Sequence, residues 1–212
     1  VYIAYGVRPQ TPDNYEQYFD KSVHLIKVNN FTRSINPVKD VKAYFEIKKI
    51  SKKVCPDIIH LHSSKAGILG RWCFNGHRIP IFYTPHGYSF LMKNCNGLKR
   101  MIYKLIEEIS AKRYCMTISC SEGENSETLR MTKNALCINN GVNCKDIDYI
   151  IQTTNKIRQN HTFTVFTLGR ICYQKNPSLF NEIAKAMPEV QFLWIGDGEL
   201  RDVITSPNIK VT

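Results

Sequence analysis

The stretch DIIHLHSSKAGILGRWCFNGHRIPIFYTPHG, residues 57–87, carries most of the information about the fold. It begins with a short apolar run, DIIHLH, that predicts a strand, and it ends with a second such run, IPIFYTPHG. Between the two runs, SKAGILGRWCF predicts the start of a helix. Because two strands joined through a helix usually lie parallel in one sheet, this stretch predicts an α/β protein.

The same alternation extends in both directions from this unit. Upstream, VYIAYG and VHLIKV predict strands, and residues 38–54 predict a helix. Downstream, residues 97–114 form the clearest helical pattern, followed by the strand CMTISCS, a helix with Ser121 and Glu124 in a capping box, and the strand ALCINNGV. This order predicts a doubly wound parallel sheet with helices on both faces.

A second series of strands and helices begins after a polar connector, residues 144–160. FTVFTLG predicts a strand, residues 177–187 a helix, VQFLWIG a strand, GELRDVI a helix and IKVT a last strand. We place a domain boundary near residue 158, which gives an N-terminal domain at residues 1–158 and the first part of a second such domain at residues 159–212. Three strands are few for a doubly wound sheet, so we expect the second domain to be incomplete in this chain.

Composition and cysteine spacing indicate a soluble, reduced protein. Apolar residues make up 43% of the chain, and no uncharged apolar run is long enough to span a bilayer. The first residues, VYIAYGVRPQ, lack the basic region and cleavage pattern of a signal peptide. The eight cysteines form no Cys-x-x-Cys pair, which favours free thiols in the cytoplasm.

The net charge of +11 lies entirely in the first three-quarters of the chain. Residues 1–158 contain 24 basic and 13 acidic side chains, whereas residues 159–212 contain five of each. Nucleic acid, anionic lipid or a phosphorylated substrate could each account for this excess.

The helix predicted at residues 97–114 combines an apolar stripe with basic residues. Such a stripe usually packs against the protein and leaves the charges in water, but the charge excess makes a membrane-facing surface a credible alternative. The stripe consists of Leu98, Met101, Ile102, Leu105, Ile106 and Ile109, and the basic residues are Lys99, Arg100, Lys104, Lys112 and Arg113.

The segment FTLGRICYQKN, residues 166–176, places two cations after a strand and before a helix. Ligands of open parallel sheets bind beyond the carboxyl ends of the strands, where the following helices begin. Gly169, Arg170 and Lys175 could therefore grip a diphosphate, with help from the amides of a helix that starts at Pro177. The alternative is a turn flanked by two solvated charges.

Two further candidate sites follow strands in the first domain. His86 and Gly87 come directly after IPIFYTP, where glycine allows a ligand to approach the backbone. Ser63, Ser64 and Lys65 stand at a helix start, a common place for an anion or a hydroxylated ligand.

The sequence argues against several other kinds of site. His60 and His62 share one side of a strand, but no third ligand follows at a suitable spacing, so we predict no metal. GDGELR, residues 196–201, lacks the third glycine of a dinucleotide fingerprint. No nucleophile elbow and no phosphate loop ending in Gly-Lys-Ser or Gly-Lys-Thr is present.

Taken together, these segments resemble the retaining glycosyltransferases of family 4, which have the GT-B fold. Six motifs carry the likeness and occur in the family's order between residues 54 and 201: DIIHLHSSKAGILGR, IPIFYTPHGYSF, ISCSEGE, INNGV, FTLGRICYQKN and LWIGDGELR. The nearest likeness is to bacterial capsule and O-antigen enzymes. The resemblance implies an acceptor-binding N-terminal domain and a C-terminal domain that binds a nucleotide sugar.

The resemblance also implies roles for single residues. Gly169, Arg170 and Lys175 match the segment that grips the donor diphosphate, and His86 and Gly87 match the cleft beside the transferred sugar. Ser64 and Lys65 would line the acceptor side. The implied partners are a nucleotide-diphosphate sugar and a glycan or polyprenyl-linked acceptor, without metal and without nucleic acid, on the cytoplasmic side of an anionic membrane.

Two departures from the family pattern limit these expectations. The chain opens at what looks like the family's second strand, and the family's Glu–seven residues–Glu motif would lie beyond Thr212. We therefore expect the 212-residue chain alone not to turn over substrate.

Three other readings stay open at this point. A UDP-N-acetylglucosamine 2-epimerase would share the fold, and a non-catalytic, membrane-recruiting subunit would pair with a separate donor-binding chain. A nucleic-acid-binding module rests on charge alone.

Overall fold

The computed structural model describes residues 1–8, 11–32, 35–92, 95–154 and 163–212. The chain divides into two compact units, Val1–Gly141 and Val142–Thr212. The predicted boundary near residue 158 lies outside the described residues, so that boundary stays a prediction.

Unit 1 alternates strands and helices as the sequence predicts, and every strand pair in it is parallel. Short 3-10 turns occur at Tyr15–Tyr18 and Ser89–Leu91. Its regular elements are β1 (Tyr2–Tyr5), β2 (His24–Lys27), α1 (Pro37–Val54), β3 (Ile59–His62), α2 (Ser64–Cys73), β4 (Ile81–Thr84), α3 (Gly97–Ala111), β5 (Met116–Ser119), α4 (Glu122–Leu129) and β6 (Ala135–Cys137).

Unit 2 contains a three-stranded parallel sheet in the order β7-β8-β9. Its elements are α5 (Cys144–Thr154), β7 (Thr164–Leu168), a 3-10 turn (Tyr173–Lys175), α6 (Pro177–Ala186), β8 (Gln191–Ile195), a second 3-10 turn (Arg201–Val203) and β9 (Ile209–Val211). Both units thus confirm the predicted α/β fold class.

The helix predicted for GELRDVI is wrong. Only a 3-10 turn forms there, at Arg201–Val203. The backbone before it is tied to the preceding loop, because Ile171 N–H donates to Asp197 C=O and Leu200 N–H donates back to Ile171 C=O. These bonds hold the start of the segment against the preceding loop, and the bonds that follow, such as Val203 N–H to Leu200 C=O, close only a 3-10 turn.

The strands of unit 1 form two separate sheets and not one continuous sheet. β1 pairs with β2, while β3, β4, β5 and β6 form a separate sheet in that order. A cavity of about 1050 Å³ is lined by residues of both β1 and β3, together with side chains of α1 and α2. Its walls are largely apolar and include Ile3, Ile26, Leu61 and Phe74.

The core of unit 1 centres on Tyr83 of β4, which is completely buried. α2 crosses this ring so closely that a Cβ at Gly67 would lie 2.2 Å from a Tyr83 ring carbon. The Tyr83 hydroxyl donates to Glu107 Oε1 of α3 at 3.0 Å, and Arg71 Nη2 of α2 lies 2.5 Å from Glu107 Oε2. A buried ion pair therefore joins α2 and α3 above the sheet.

Helix α3 turns a polar side toward the protein, although an apolar stripe such as its own usually faces inward. Glu107 and Ser110 are buried, whereas most of the apolar stripe faces solvent. Met101 is 63% exposed and Leu105 54% exposed. Most of the stripe therefore does not pack against unit 1, because the buried ion pair with Arg71 turns the polar face of the helix inward.

Candidate functional site

The loops after β3 and β4 of unit 1 hold backbone conformations that side chains rarely adopt. Ser63 has φ 76° and His86 has φ 53°, both in the left-handed region, and Gly87 follows with φ 91°. Non-glycine residues in this region cost free energy and cluster at functional sites. Both loops lie at the carboxyl edge of the parallel sheet, the edge at which such sheets bind ligands.

His86 lies between two partners that the sequence did not reveal. Its Nε2 is 3.0 Å from His62 Nδ1, with the two rings stacked, and its Nδ1 is 3.6 Å from Cys120 Sγ. His62 is the last residue of β3, and His86 and Cys120 lie in the loops directly after β4 and β5, so the neighbouring strands align them. The sequence placed His62 on the same strand side as His60, but only the β3–β4 pairing brings it to His86.

Glu124 fastens the His86 loop to the next loop of the sheet. Its carboxylate accepts from Gly87 N–H at 2.6 Å and from Cys120 N–H at 2.8 Å. Its own N–H donates to Ser121 Oγ at 3.3 Å, which confirms that half of the predicted capping box. The sequence pattern identified only the local bond, since Gly87 lies 37 positions away.

Ser64 and Lys65 are placed at the start of α2, as predicted, but Lys65 already has partners. Its ammonium forms an ion pair with Asp40 at 2.6 Å and donates to Thr32 Oγ1 at 3.0 Å. Ser64 is buried, and its Oγ accepts from Ser89 N–H at 3.3 Å. Ser64 therefore supports the loop after His86, while Lys65 connects α2 to α1.

We expect the imidazoles of His60 and His62 to titrate below pH 6.5, because burial and the neighbouring imidazoles lower the pKa of each ring. Below that pH the unfolded chain binds more protons than the folded chain, so stability falls as pH decreases and is unaffected well above it. An NMR titration of the ring protons measures both values. In a double variant, His60→Gln with His62→Gln, the urea midpoint should depend less on pH between 7.5 and 5.5. Ring pKa values at or above 6.5 would contradict the expectation.

The predicted cations of unit 2 lie at the carboxyl end of β7. Gly169 has φ 138°, and its carbonyl accepts from the indole of the fully buried Trp194 at 2.8 Å. A Cβ at Gly169 would lie 3.0 Å from Lys175 Cε, so the Lys175 side chain crosses directly over this glycine. Arg170 is exposed beside it.

No carboxylate in the described residues lies within ion-pair distance of Arg170 or Lys175. Asn176 follows Lys175 in the left-handed conformation, and its Oδ1 accepts from Leu179 N–H at the start of α6. The loop therefore presents two exposed cations next to a helix N-terminus, an arrangement suited to a phosphate ligand.

The GDGELR segment supports the β7 loop by close backbone packing. A Cβ at Gly196 would lie 2.5 Å from Gly169 O, and one at Gly198 would lie 2.4 Å from Ile171 O. Asp197 pairs with Arg201 at 3.1 Å, and the Gly198 N–H and this arginine lower the pKa of its carboxyl. Its glycines thus hold the loop that carries Arg170.

Among the described residues, no group of three or more His, Cys, Asp or Glu side chains is arranged to hold a metal ion. No helix in the described ranges has both the length and the apolar character needed to cross a bilayer. The eight cysteines are all free thiols.

Comparisons with known proteins identify one family. The family model described as Glycosyltransferase Family 4 matches residues 1–146. The chain is 32% identical over 202 residues to the Escherichia coli UDP-Gal:alpha-D-GlcNAc-diphosphoundecaprenol alpha-1,3-galactosyltransferase, covering 86% of this chain and 51% of that relative.

Two solved structures share the fold. Sucrose-phosphate synthase from Thermosynechococcus elongatus has a TM-score of 0.69 at 16% identity, and the match covers 99% of this chain and 59% of the synthase chain. Anabaena Alr3699/HepE, solved with UDP and glucose, has a TM-score of 0.57 at 14% identity, and the match covers 89% of this chain and 55% of the Anabaena chain.

Parallel sheets with helices packed around them define an α/β protein of the GT-B type. The chain belongs to glycosyltransferase family 4. It spans about half the length of the curated relative that it matches.

Proposed function

We propose that the protein transfers a sugar from a nucleotide-diphosphate sugar to a polyprenyl-diphosphate-linked glycan, with retention of configuration, in the synthesis of a cell-surface polysaccharide. The observation that carries the proposal is the pair of exposed cations, Arg170 and Lys175, at the carboxyl end of β7 in a chain of this family. The similarity to a galactosyltransferase whose acceptor is a diphosphoundecaprenol makes a UDP-sugar and a lipid-linked acceptor the first substrates to test.

The chemistry of transfer fits these two cations. When the glycosidic bond to the donor breaks, negative charge develops on the departing nucleoside diphosphate. Arg170 would bind it as a planar fork and Lys175 as a point charge, and Gly169 leaves room for the Lys175 side chain that lies over it. Fixed cations at that position stabilise the transition state without reorganisation.

Unit 1 would hold the transferred sugar and the acceptor. His86 and Gly87 would lie beside the sugar, on a loop that is held by the hydrogen bonds of the Glu124 carboxylate. Ser64 and Lys65 would stand on the acceptor side, with Lys65 anchored by Asp40. A reaction on a lipid-linked acceptor would take place at a membrane surface, and the eight free thiols favour the cytoplasmic side.

The test is a transfer assay with the protein in its natural length. Radiolabelled UDP-galactose and a panel of other UDP-sugars are each incubated with GlcNAc-diphosphoundecaprenol, and label is counted in the lipid extract. We expect one donor to give labelled lipid together with free UDP, and NMR of the product to show the donor's anomeric configuration.

Other outcomes would point to the remaining alternatives. Acceptor-independent conversion of UDP-N-acetylglucosamine into its 2-epimer would identify an epimerase. An absence of turnover with every donor, combined with co-purification of a second chain that restores transfer, would identify a non-catalytic subunit.

A further inference from the structure

Glu124 carries a buried carboxylate whose two oxygens bind two different loops. The residue is only 8% exposed, and its Oε1 accepts from Gly87 N–H while its Oε2 accepts from Cys120 N–H. Among the described residues, no ion pair includes Glu124. The two amides and the N-terminal turn of α4 therefore compensate its charge.

A helix cap alone does not account for this geometry. The glutamate of a capping box reaches back to the backbone N–H of the N-cap residue, which is Ser121 in α4. Glu124 reaches one residue further, to Cys120, and it also bonds Gly87, which lies 37 positions away in the chain. The carboxylate therefore joins the loop after β4 to the loop after β5.

Both amides belong to the immediate surroundings of the His86 ring. Gly87 follows His86 in the turn, and the two residues have φ values of 91° and 53°, both in the left-handed region. Cys120 is the residue whose Sγ lies 3.6 Å from His86 Nδ1, and His62 lies on the other side of the ring. One carboxylate thus holds the turn that carries the ring and the backbone of a residue that flanks it.

The chemistry of a carboxylate suits this double contact. Its oxygens are acceptors only, so both of them can face N–H groups. A glutamine of the same length would turn an NH2 group toward one of the two amides and lose that hydrogen bond. Glu124→Gln therefore removes half of the contact while it keeps the size of the side chain.

We propose that Glu124 is a positioning residue for sugar transfer, because its carboxylate sets the turn at His86 and Gly87 and so the place of the His86 ring beside the transferred sugar. The inference rests on the proposed function, since it gives Glu124 a part in that same reaction. A misplacement of about 1 Å can lower a rate by about 10²-fold. The diphosphate contacts proposed for Arg170 and Lys175 do not involve this loop, so its displacement should lower kcat and leave the donor KM nearly unchanged.

The test is steady-state transfer by the protein in its natural length. Glu124→Gln should lower kcat by about tenfold to 100-fold, with the donor KM within about twofold of the parent. Glu122→Gln is the matched control, because Glu122 is an exposed acidic residue in the same first turn of α4. It should keep kcat within about twofold. The urea midpoint of each variant shows whether the compared proteins are equally folded.

A second variant alters the same turn without changing the carboxylate. A Cβ at Gly87 would meet no atom within 4 Å, so Gly87→Ala strains only the backbone at φ 91°. It should also lower kcat, and the double variant Gly87→Ala, Glu124→Gln should lose less than the product of the two single losses. Losses that simply multiply would mean that Glu124 and the turn act independently, and they would overturn the proposal.

NMR of the ring nitrogens gives a readout that needs no substrate. The nitrogen shifts of His62 and His86 report the contact between the two rings, and they should change in Glu124→Gln but not in Glu122→Gln. Unchanged shifts, or an unchanged kcat in both Glu124→Gln and Gly87→Ala when the parent is active, would overturn the positioning role and leave the proposed function intact. A parent that transfers sugar from no donor would instead contradict the proposed function, while altered His86 shifts would still support the positioning of the ring.

Discussion

Replacing Glu107 by alanine is expected to lower the free energy of unfolding by about 3–5 kcal/mol. The substitution leaves the Arg71 guanidinium, whose side chain is 2% exposed, without a counter-charge inside the protein. It also removes the acceptor of the buried Tyr83 hydroxyl. Since native domains are stable by only about 5–15 kcal/mol, a loss of this size will shift the urea transition markedly or leave unit 1 unfolded.

A double variant distinguishes the cost of leaving Arg71 without a counter-charge from the contribution of the ion pair itself to stability. Arg71→Met combined with Glu107→Leu removes both charges and keeps similar volumes, so it should cost far less than Glu107→Ala alone. Urea unfolding followed by circular dichroism measures all of them. A Glu107→Ala protein within about 1 kcal/mol of the parent would show that the buried pair does not hold α2 and α3 together.

Replacing Arg170 or Lys175 by alanine is expected to lower kcat for sugar transfer by about 10²–10³-fold each. Both cations are exposed and lack carboxylate partners among the described residues, so neither substitution should disturb folding. Arg170→Lys should recover only part of the activity, because an ammonium cannot reproduce the two-pronged contact of a guanidinium with phosphate. Steady-state kinetics of the protein in its natural length give kcat and KM separately.

Lys185 provides the matched control for this prediction. It is an exposed lysine in the last turn of α6, whereas Lys175 precedes the first turn of the same helix. Lys185→Ala should retain transfer within about twofold, as expected of a surface charge remote from the helix N-terminus. An unchanged kcat in Arg170→Ala and Lys175→Ala would contradict the proposal that these two cations bind the donor diphosphate.

The local pattern of the chain was sufficient for most of the fold. The apolar runs at residues 57–62 and 79–87 and the helix between them predicted a parallel α/β sheet, and the structure confirms it. Instead of the expected helix after Gly198, a 3-10 turn forms in a segment whose backbone is hydrogen-bonded to Ile171. No local pattern signals those bonds.

The candidate site was only partly readable from the sequence. His86, Gly87, Ser64, Arg170 and Lys175 stood out because each follows a strand or begins a helix. Glu124 stood out only as a capping residue, and Cys120 and the pairing of His62 with His86 did not stand out, since their roles depend on contacts between loops of different strands.

The sequence by itself determined where most strands and helices form and which loops reach the carboxyl edges of the sheets, because periodicity and turn chemistry act over a few neighbouring residues. Tertiary structure alone decided which side of α3 faces inward. The apolar pattern of α3 favoured burying its leucines, but the buried pair of Arg71 and Glu107, 36 positions apart, outweighed it. A charged side chain removed from water must keep its partner, so that contact sets the rotation of the helix and leaves its apolar side facing outward.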